Sequence, residues 1–484
     1  MTAQASDSPA ARAPQLIGLF LGLALALLLQ FLPPPEGLSR DGWAVVSLAV
    51  LMAVWWATEA IPIPATALLP MAVAPVAGIA AVNDVSMQYM RSTVFLLLGG
   101  FIIAMAIQRW NLHARIALNI VARFGARPKA LIFGFMLAAA LLSMWISNTA
   151  TTIMMTPIAL SVAMAAGREK AALLAPPLLL GLAYAASVGG LGTPVGTPTN
   201  LLVIGWLQET GRDIGFAQWM GLGVPVVALM VPVLWFVLTR VFSPPGAPSP
   251  EAAAAVNTEL SALGPMRAPE RRVLILFAFI GLAWMTRQYV LTSIPGLGGL
   301  TDAGIAIIGA LAFFLTPSGE GRGEALLDWR TAERLPWGVV ILFGGGMSLA
   351  WLIETSGLAA WLGGEMSAVG AWPLILLILS LTALVIFATE MMSNIATVSA
   401  LIPVFSALSA ASGADPVLIA APVAMAASCA FMLPVATGPN AVVFASGEIR
   451  VPQMVKAGFF GNLAGIAIIT LLAYWLTPLL FAGG

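Results

Sequence analysis

The sequence predicts an all-α polytopic membrane protein, with about eleven transmembrane helices and two re-entrant helical hairpins in an inverted-topology repeat. Three observations carry that reading. Charged residues make up 9% of the 484 and hydrophobic residues 60%, whereas a soluble domain is about 25% charged. Apolar runs of spanning length recur along the whole chain. Two further apolar stretches are too long for one span, and each is interrupted by a polar Ser-Asn pair.

Composition also excludes other classes. Lys+Arg and Asp+Glu balance at 21 each, so there is no basic excess for a nucleic acid. A single cysteine, Cys429, rules out an internal disulfide framework, and a single histidine, His113, leaves little for zinc or haem.

Taken in order, the chain opens with a polar, small-residue-rich tail, Met1 to Pro14. The apolar run Leu16 to Leu32 is followed by Pro33-Pro34-Pro35-Glu36 rather than a small-x-small cleavage site, so it reads as the first span and not a leader. Runs then recur at 15–33, 42–58, 61–80, 92–108, 171–206, 218–241, 271–291, 303–316, 337–353, 416–448 and 457–480. The long stretches are 130–166 and 372–410. One continuous helix of that length, at about 1.5 Å per residue, would overshoot a hydrocarbon core of about 30 Å. Two short helices folded back at the polar tip fit, a shape tolerated only where protein or a water-filled cavity surrounds the tip. Arg109 to Lys129 has basic residues at helical spacing and reads as an interfacial segment. Ser243 to Glu270 begins SPPGAPSP and reads as a polar linker.

Charge gives the orientation. With the N-terminus inside, this count places Arg40, Arg91, Arg212 and Arg287 outside and the other seventeen basic residues inside, as the positive-inside rule requires.

The halves flanking the linker resemble each other. Leu97-Leu98-Gly99-Gly100 aligns with Leu342-Phe343-Gly344-Gly345 at an offset of 245. Ser147-Asn148-x-Ala150-Thr151 aligns with Ser393-Asn394-x-Ala396-Thr397 at 246, and Pro194-Val195-x-Thr197-x-x-Asn200 with Pro434-Val435-x-Thr437-x-x-Asn440 at 240. The first hairpin enters from the inside and the second, after an odd number of spans, from the outside. Inverted repeats with discontinuous helices are a mark of secondary transporters. Gly99-Gly100 alone could be close helix packing; paired tips and paired breaks are not explained that way.

Breaking a helix inside a membrane frees N–H groups, which attract anions, and carbonyls, which suit a hard cation. Each half offers a tip (Ser147-Asn148-Thr149, Ser393-Asn394-Ile395) and an unwound stretch (192–200, 434–440). The expected site holds no Lys, Arg or His, so the charge of a bound anion must be offset mainly by bound cations. That is a physical reason to couple transport to sodium. Glu390 beside the second tip is read as structural ahead of proton-linked, and Glu59 as structural. Met391 and Met392 read as packing, with a backbone carbonyl there still open to a cation.

At these motifs the chain resembles the divalent anion–sodium symporter family, which carries dicarboxylates, citrate or sulfate. The resemblance runs from Trp55-Trp56-Ala57-Thr58-Glu59-Ala60-Ile61-Pro62 to Met454-Val455-Lys456-Ala457-Gly458, and Phe431-Met432-Leu433-Pro434-Val435-Ala436-Thr437-Gly438-Pro439-Asn440 is its most specific piece beside the first tip. It implies a homodimer of scaffold and transport domains working as an elevator in the cell membrane, with the N-terminus cytoplasmic. The expected division is a tail (1–14), scaffold half 1 (15–129), transport half 1 (130–241), linker (242–270), scaffold half 2 (271–371) and transport half 2 (372–484). By position, the resemblance places one sodium ion at Ser143, Ser147, Asn148 and Gly196. It places another at Thr389, the Met392 carbonyl, Asn394 and Ala436. Substrate carboxylates would meet Asn148, Thr149, Thr197 and Pro198 on one side, and Asn394, Thr437 and Gly438 on the other. The chain departs from the family's pattern at Ile395, which replaces a Thr of the tip, and at Gly438, where Pro is common.

The expected function is sodium-coupled symport of a C4-dicarboxylate such as succinate. The alternatives are sodium-independent exchange, citrate or sulfate as substrate, proton coupling through Glu390, or a passive anion channel. A membrane-embedded enzyme fits worst, for want of metal-ligand spacing or a nucleophile–base pair.

Overall fold

The computed structural model describes residues 9–481 other than 245 and 322, with side chains from Gln15 onward. Residues 1–8 of the expected tail, the Arg12 side chain and Arg322 lie outside the described residues. The described fold is helical, and its one β feature is an isolated bridge between Pro317 and Ala325. Seven of the described helices are long and apolar enough to cross a membrane, by length and composition. Several of the expected runs, 61–80, 171–206 and 416–448 among them, are broken into shorter pieces. Pro128–Ser143, Asp302–Leu315, Leu374–Thr389 and Pro416–Ala426 are apolar but shorter, and the first run lies in helix Pro9–Phe31 of 23 residues.

The run 61–80 is not one helix. It folds as Ile63–Thr66 and Leu69–Val76, each with proline at its start. Proline is pre-set for a first helical turn but cannot continue a helix through it, and four prolines (Pro62, Pro64, Pro70, Pro75) fall within fourteen residues. Within the expected linker, Pro250–Ala262 is a helix whose N-cap, Ser249, accepts from the Ala252 N–H. An alanine run behind a Ser cap and an N1 proline is strong local helix chemistry. The Ser249 N–H donates to the Ala126 carbonyl at 2.8 Å, tying this helix to the interfacial segment. Arg115 holds the same region, with its Nε 2.5 Å from Glu270 Oε2 and further bonds to the carbonyls of Leu263, Gly264 and Pro265.

Both long Ser-Asn stretches are helix pairs broken at the expected place: Pro128–Ser143 with Asn148–Ala165, and Leu374–Thr389 with Asn394–Ser412. Ser147 and Ser393 each cap the second helix of their pair, accepting from Ala150 N at 3.2 Å and Ala396 N at 3.3 Å. The helices that lead to the unwound stretches, Arg168–Gly189 and Pro416–Ala426, stop short, and helix resumes at Pro198–Glu209 and Gly438–Phe444. The first of these is the most enclosed candidate span, 89% buried, against 33% for Val451–Phe481. Broken backbone needs that shield, because lipid offers its N–H and C=O groups no partners.

An aromatic seam joins the first tip to helix Ala268–Thr286. Phe216 stacks on Trp284 at 4.5 Å and 4°, Trp145 lies 6.4 Å from Trp284 at 15°, and Phe277 meets Trp145 edge-on at 5.0 Å.

Candidate functional site

The two tips and the two unwound stretches converge on one cavity of about 700 Å³. Ser147, Asn148, Thr149, Gly196, Thr197 and Pro198 line it from the first half, and Met392, Asn394, Ala436, Thr437 and Gly438 from the second. Ser143 and Thr389 stand behind the lining, both fully buried. They reach it through the tip asparagines: Ser143 Oγ donates to Asn148 Oδ1 at 2.6 Å, and Thr389 Oγ1 to Asn394 Oδ1 at 3.1 Å. All thirteen residues that the sequence singles out therefore lie in one connected constellation. Among the described residues the lining carries no Lys, Arg or His, and its ionisable side chain is Glu59. Glu59 also ends helix Arg40–Thr58 in the left-handed region, φ 48°, with its N–H on the Trp55 carbonyl.

The unwound stretches are braced alike. Asn200 Nδ2 donates to the carbonyls of Gly190 and Thr193 at 2.9 and 2.8 Å; Asn440 Nδ2 donates to those of Ala430 and Leu433, both at 3.0 Å. In each half the partners are ten and seven residues earlier. Gly196 N donates to Thr193 O and Ala436 N to Leu433 O, each at 3.3 Å. Thr197 and Thr437 precede the resumed helices with nearly equal extended backbones, φ/ψ −144°/142° and −141°/154°. Gly196 is required where it stands: a Cβ there would meet the Gly190 carbonyl oxygen at 2.5 Å. A Cβ on Gly190 would in turn lie 2.7 Å from Asn148 Oδ1, so this backbone close approach is what admits the tip amide.

Each tip is also pinned to its own unwound stretch, but by different chemistry. In the first half the Thr193 hydroxyl donates to the Met144 carbonyl. In the second, the Glu390 carboxylate accepts from the backbone N–H groups of Phe431, Met432 and Leu433 at 2.8, 2.9 and 3.1 Å, and from Asn462 Nδ2 at 2.8 Å. Residues 144 and 390, and 193 and 433, are equivalent in the repeat. Four donors on one carboxylate suit its ionised, acceptor-only form. Tyr184 adds a bond from its hydroxyl to the Phe431 carbonyl at 2.7 Å.

Sequence reasoning did not assign Asn200, Asn440, Thr193, Tyr184 or Asn462. The asparagine pair carried a signal, since the repeat aligns them; Tyr184 and Asn462 carried none. A second cavity of about 390 Å³ lies beside the first unwound stretch, lined by Thr93, Gln208, Asp213, Arg287 and Asp302 among others. Pro194 lines this one while Val195 and Gly196 line the larger, so the stretch 194–196 is a wall between the two.

The profile of the sodium:sulfate symporter transmembrane region matches residues 13–482. The chain is 40% identical over 476 residues to the sodium-dependent dicarboxylate transporter SdcS of Staphylococcus saprophyticus, across 96% of this chain and 92% of that protein. It is 40% identical over 478 residues to the protein of the same name from Staphylococcus aureus, with the same coverage. Among solved structures it is similar to the Alcanivorax borkumensis YdaH transporter, described as having an unusual topology. The TM-score is 0.56 over 96% of this chain and 98% of that one, and at 16% identity the likeness concerns the fold alone.

Proposed function

Since the chain belongs to the sodium:sulfate symporter family, we propose that it is a secondary transporter, not an enzyme, that carries a C4-dicarboxylate such as succinate across the cell membrane with sodium. The observation that carries this reading is the pair of hydroxyl–amide contacts, Ser143–Asn148 and Thr389–Asn394, flanking a cavity without a basic residue. A dianion in that cavity has neutral donors from Asn148, Asn394, Thr149, Thr197 and Thr437 but no fixed positive charge. A charge transferred from water to such a place without compensation costs several kcal/mol, and two sodium ions would balance a dicarboxylate. One ion would sit at Ser143, Ser147, Asn148 and Gly196, the other at Thr389, Met392, Asn394 and Ala436. Hydroxyl, amide and carbonyl oxygens are the donors a hard monovalent cation takes.

The same amides explain coupling. An asparagine whose Oδ1 is turned toward Ser143 or Thr389 presents its Nδ2 on the opposite edge, so a cation on one edge and a carboxylate on the other are read by one rigid plane. Gln15, Glu59 and Pro336 also line the cavity, and the charge asymmetry puts those helix ends inside. The reading is therefore of a site open inward, with the wall 194–196 separating it from the outer cavity. Movement of segments 130–241 and 372–484 against 15–129 and 271–371 would carry the site across, the elevator mode, in a homodimer. The aromatic seam at Trp145, Phe216 and Trp284 would then be a sliding surface.

Purified protein in vesicles with an inward sodium gradient is expected to accumulate labelled succinate above equilibrium. Uptake that needs internal dicarboxylate but not sodium would replace symport by exchange. Downhill flux alone, unaffected by Asn148→Ala with Asn394→Ala, would indicate a channel and sink the proposal.

A further inference from the structure

The repeat supplies an internal standard for the cavity. Position by position the tips read Ser147/Ser393, Asn148/Asn394 and Thr149/Ile395, and the unwound stretches Thr197/Thr437 and Pro198/Gly438. Three of these five pairs agree and two, Thr149/Ile395 and Pro198/Gly438, differ; all four residues of the differing pairs line the cavity. They are coupled in space. A Cβ placed on Gly438 would collide with the Thr149 hydroxyl, so the first-half threonine leans across into room that the second half leaves by having no side chain there. The first tip thus brings the Thr149 hydroxyl up to the second unwound stretch, while the second tip contributes a sec-butyl hydrocarbon, Ile395. Met391 and Val435, 81% and 84% exposed, continue that apolar wall within the cavity.

Resting on the dicarboxylate reading above, we infer that Ile395 is a specificity-determining residue: it selects against dicarboxylates bearing a hydroxyl on the carbon chain and in favour of those bearing hydrogen or methyl there. Both carboxylates of a four-carbon substrate are served by the duplicated amides and threonines, so what differs between the halves acts on the carbons between them. A substrate hydroxyl turned toward Ile395 leaves water and meets no partner. A polar group stranded that way costs about tenfold or more in binding. A methyl in the same place removes apolar surface from water on both sides and gains about tenfold.

The test is competition against labelled succinate uptake in vesicles under an inward sodium gradient, with 2-methylsuccinate and racemic malate as competitors. In the unaltered protein methylsuccinate is expected to compete at least tenfold better than malate. Ile395→Thr is expected to bring the two within about threefold of each other. Ile395→Val, as branched as threonine but without its oxygen, is expected to keep the original preference. Equal competition in the unaltered protein, or the same shift in the Thr and Val variants, would overturn the inference while leaving succinate transport standing. Absence of succinate uptake in the unaltered protein would refute the dicarboxylate reading itself, and this inference with it.

Discussion

Replacing Glu390 by glutamine tests whether that carboxylate holds the second unwound stretch in place. Three N–H donors reach Oε1 and one reaches Oε2. In Glu390→Gln the better orientation keeps oxygen toward Phe431, Met432 and Asn462, which sets the new NH2 against the Leu433 N–H. One buried donor is then stranded, at about 1–3 kcal/mol, and three charge-assisted bonds become neutral ones at roughly 0.5–1 kcal/mol each. Glutamine is cheaper to bury than a carboxylate, which offsets part of this, leaving a net loss of about 2–4 kcal/mol. Cys429 provides the assay: it is the sole cysteine, fully buried, and two residues before the clamped segment. A thiol-reactive dye added to detergent-solubilised protein during heating therefore reports opening of this region. Glu390→Gln is expected to label earlier in temperature by several degrees, and Glu390→Ala earlier still. Labelling curves that coincide with the unaltered protein would refute the clamp and return Glu390 to the proton-linked reading.

Three further outcomes follow from the geometry. Asn200→Ala removes two carbonyl partners from a fully buried brace, and a loss of about 2–4 kcal/mol should appear as early dye labelling and loss of sodium-driven uptake, with Asn440→Ala matching it. Gly438→Ala should push the Thr149 hydroxyl aside and raise the succinate KM by about tenfold, and Thr149→Ala should add little on top; additive effects in that double-mutant cycle would show that the contact is not coupled. Asp328, which sits outside the spanning helices, is held below the usual carboxylate range by hydrogen bonds from Thr331, with the Arg109 charge contributing less. The stability it adds is present above the ordinary carboxylate range and is lost as pH falls through its lowered folded value. It is half exposed, so Asp328→Asn should cost under about 1 kcal/mol, measured as an unfolding difference seen at neutral pH and absent in acid.

What could be read from the sequence was local or repeated. Apolar runs, the Ser-Asn tips, the Thr-Pro and Thr-Gly restarts of helix, and the match between halves marked the tips and unwound stretches, and the family resemblance supplied the thirteen individual residues within them. What could not be read depends on distance along the chain. Glu390 finds its donors 41 to 72 residues away, and Thr149 meets Gly438 from the other half; no periodicity encodes such pairs. The prolines at 62, 64, 70 and 75 did encode a broken run, and hydropathy averaging hid it. In the linker SPPGAPSP dominated the reading, and the helix start in its own last two residues, Ser249-Pro250, went unread.

The sharpest consequence concerns the two edges of one amide. Asn148 turns Oδ1 to Ser143, leaving Nδ2 for a substrate carboxylate, so cation and anion should be separable by chemistry at this one side chain. Asn148→Asp keeps the oxygen edge and adds charge that favours a cation. On the other edge it replaces a donor by a carboxylate oxygen. Two like charges about 4 Å apart at an effective dielectric near 20 repel by about 4 kcal/mol, close to a thousandfold in substrate affinity. The variant should therefore keep sodium-dependent protection of Cys429 from thiol reagents, reached at equal or lower sodium, and lose succinate uptake. Asn148→Ala, with neither edge, should lose both. If Asn148→Asp retained the succinate KM, or lost sodium protection along with uptake, the amide would not be the bridge between the two ions. Coupling would then have to arise from movement of the tips as whole units rather than from a shared ligand.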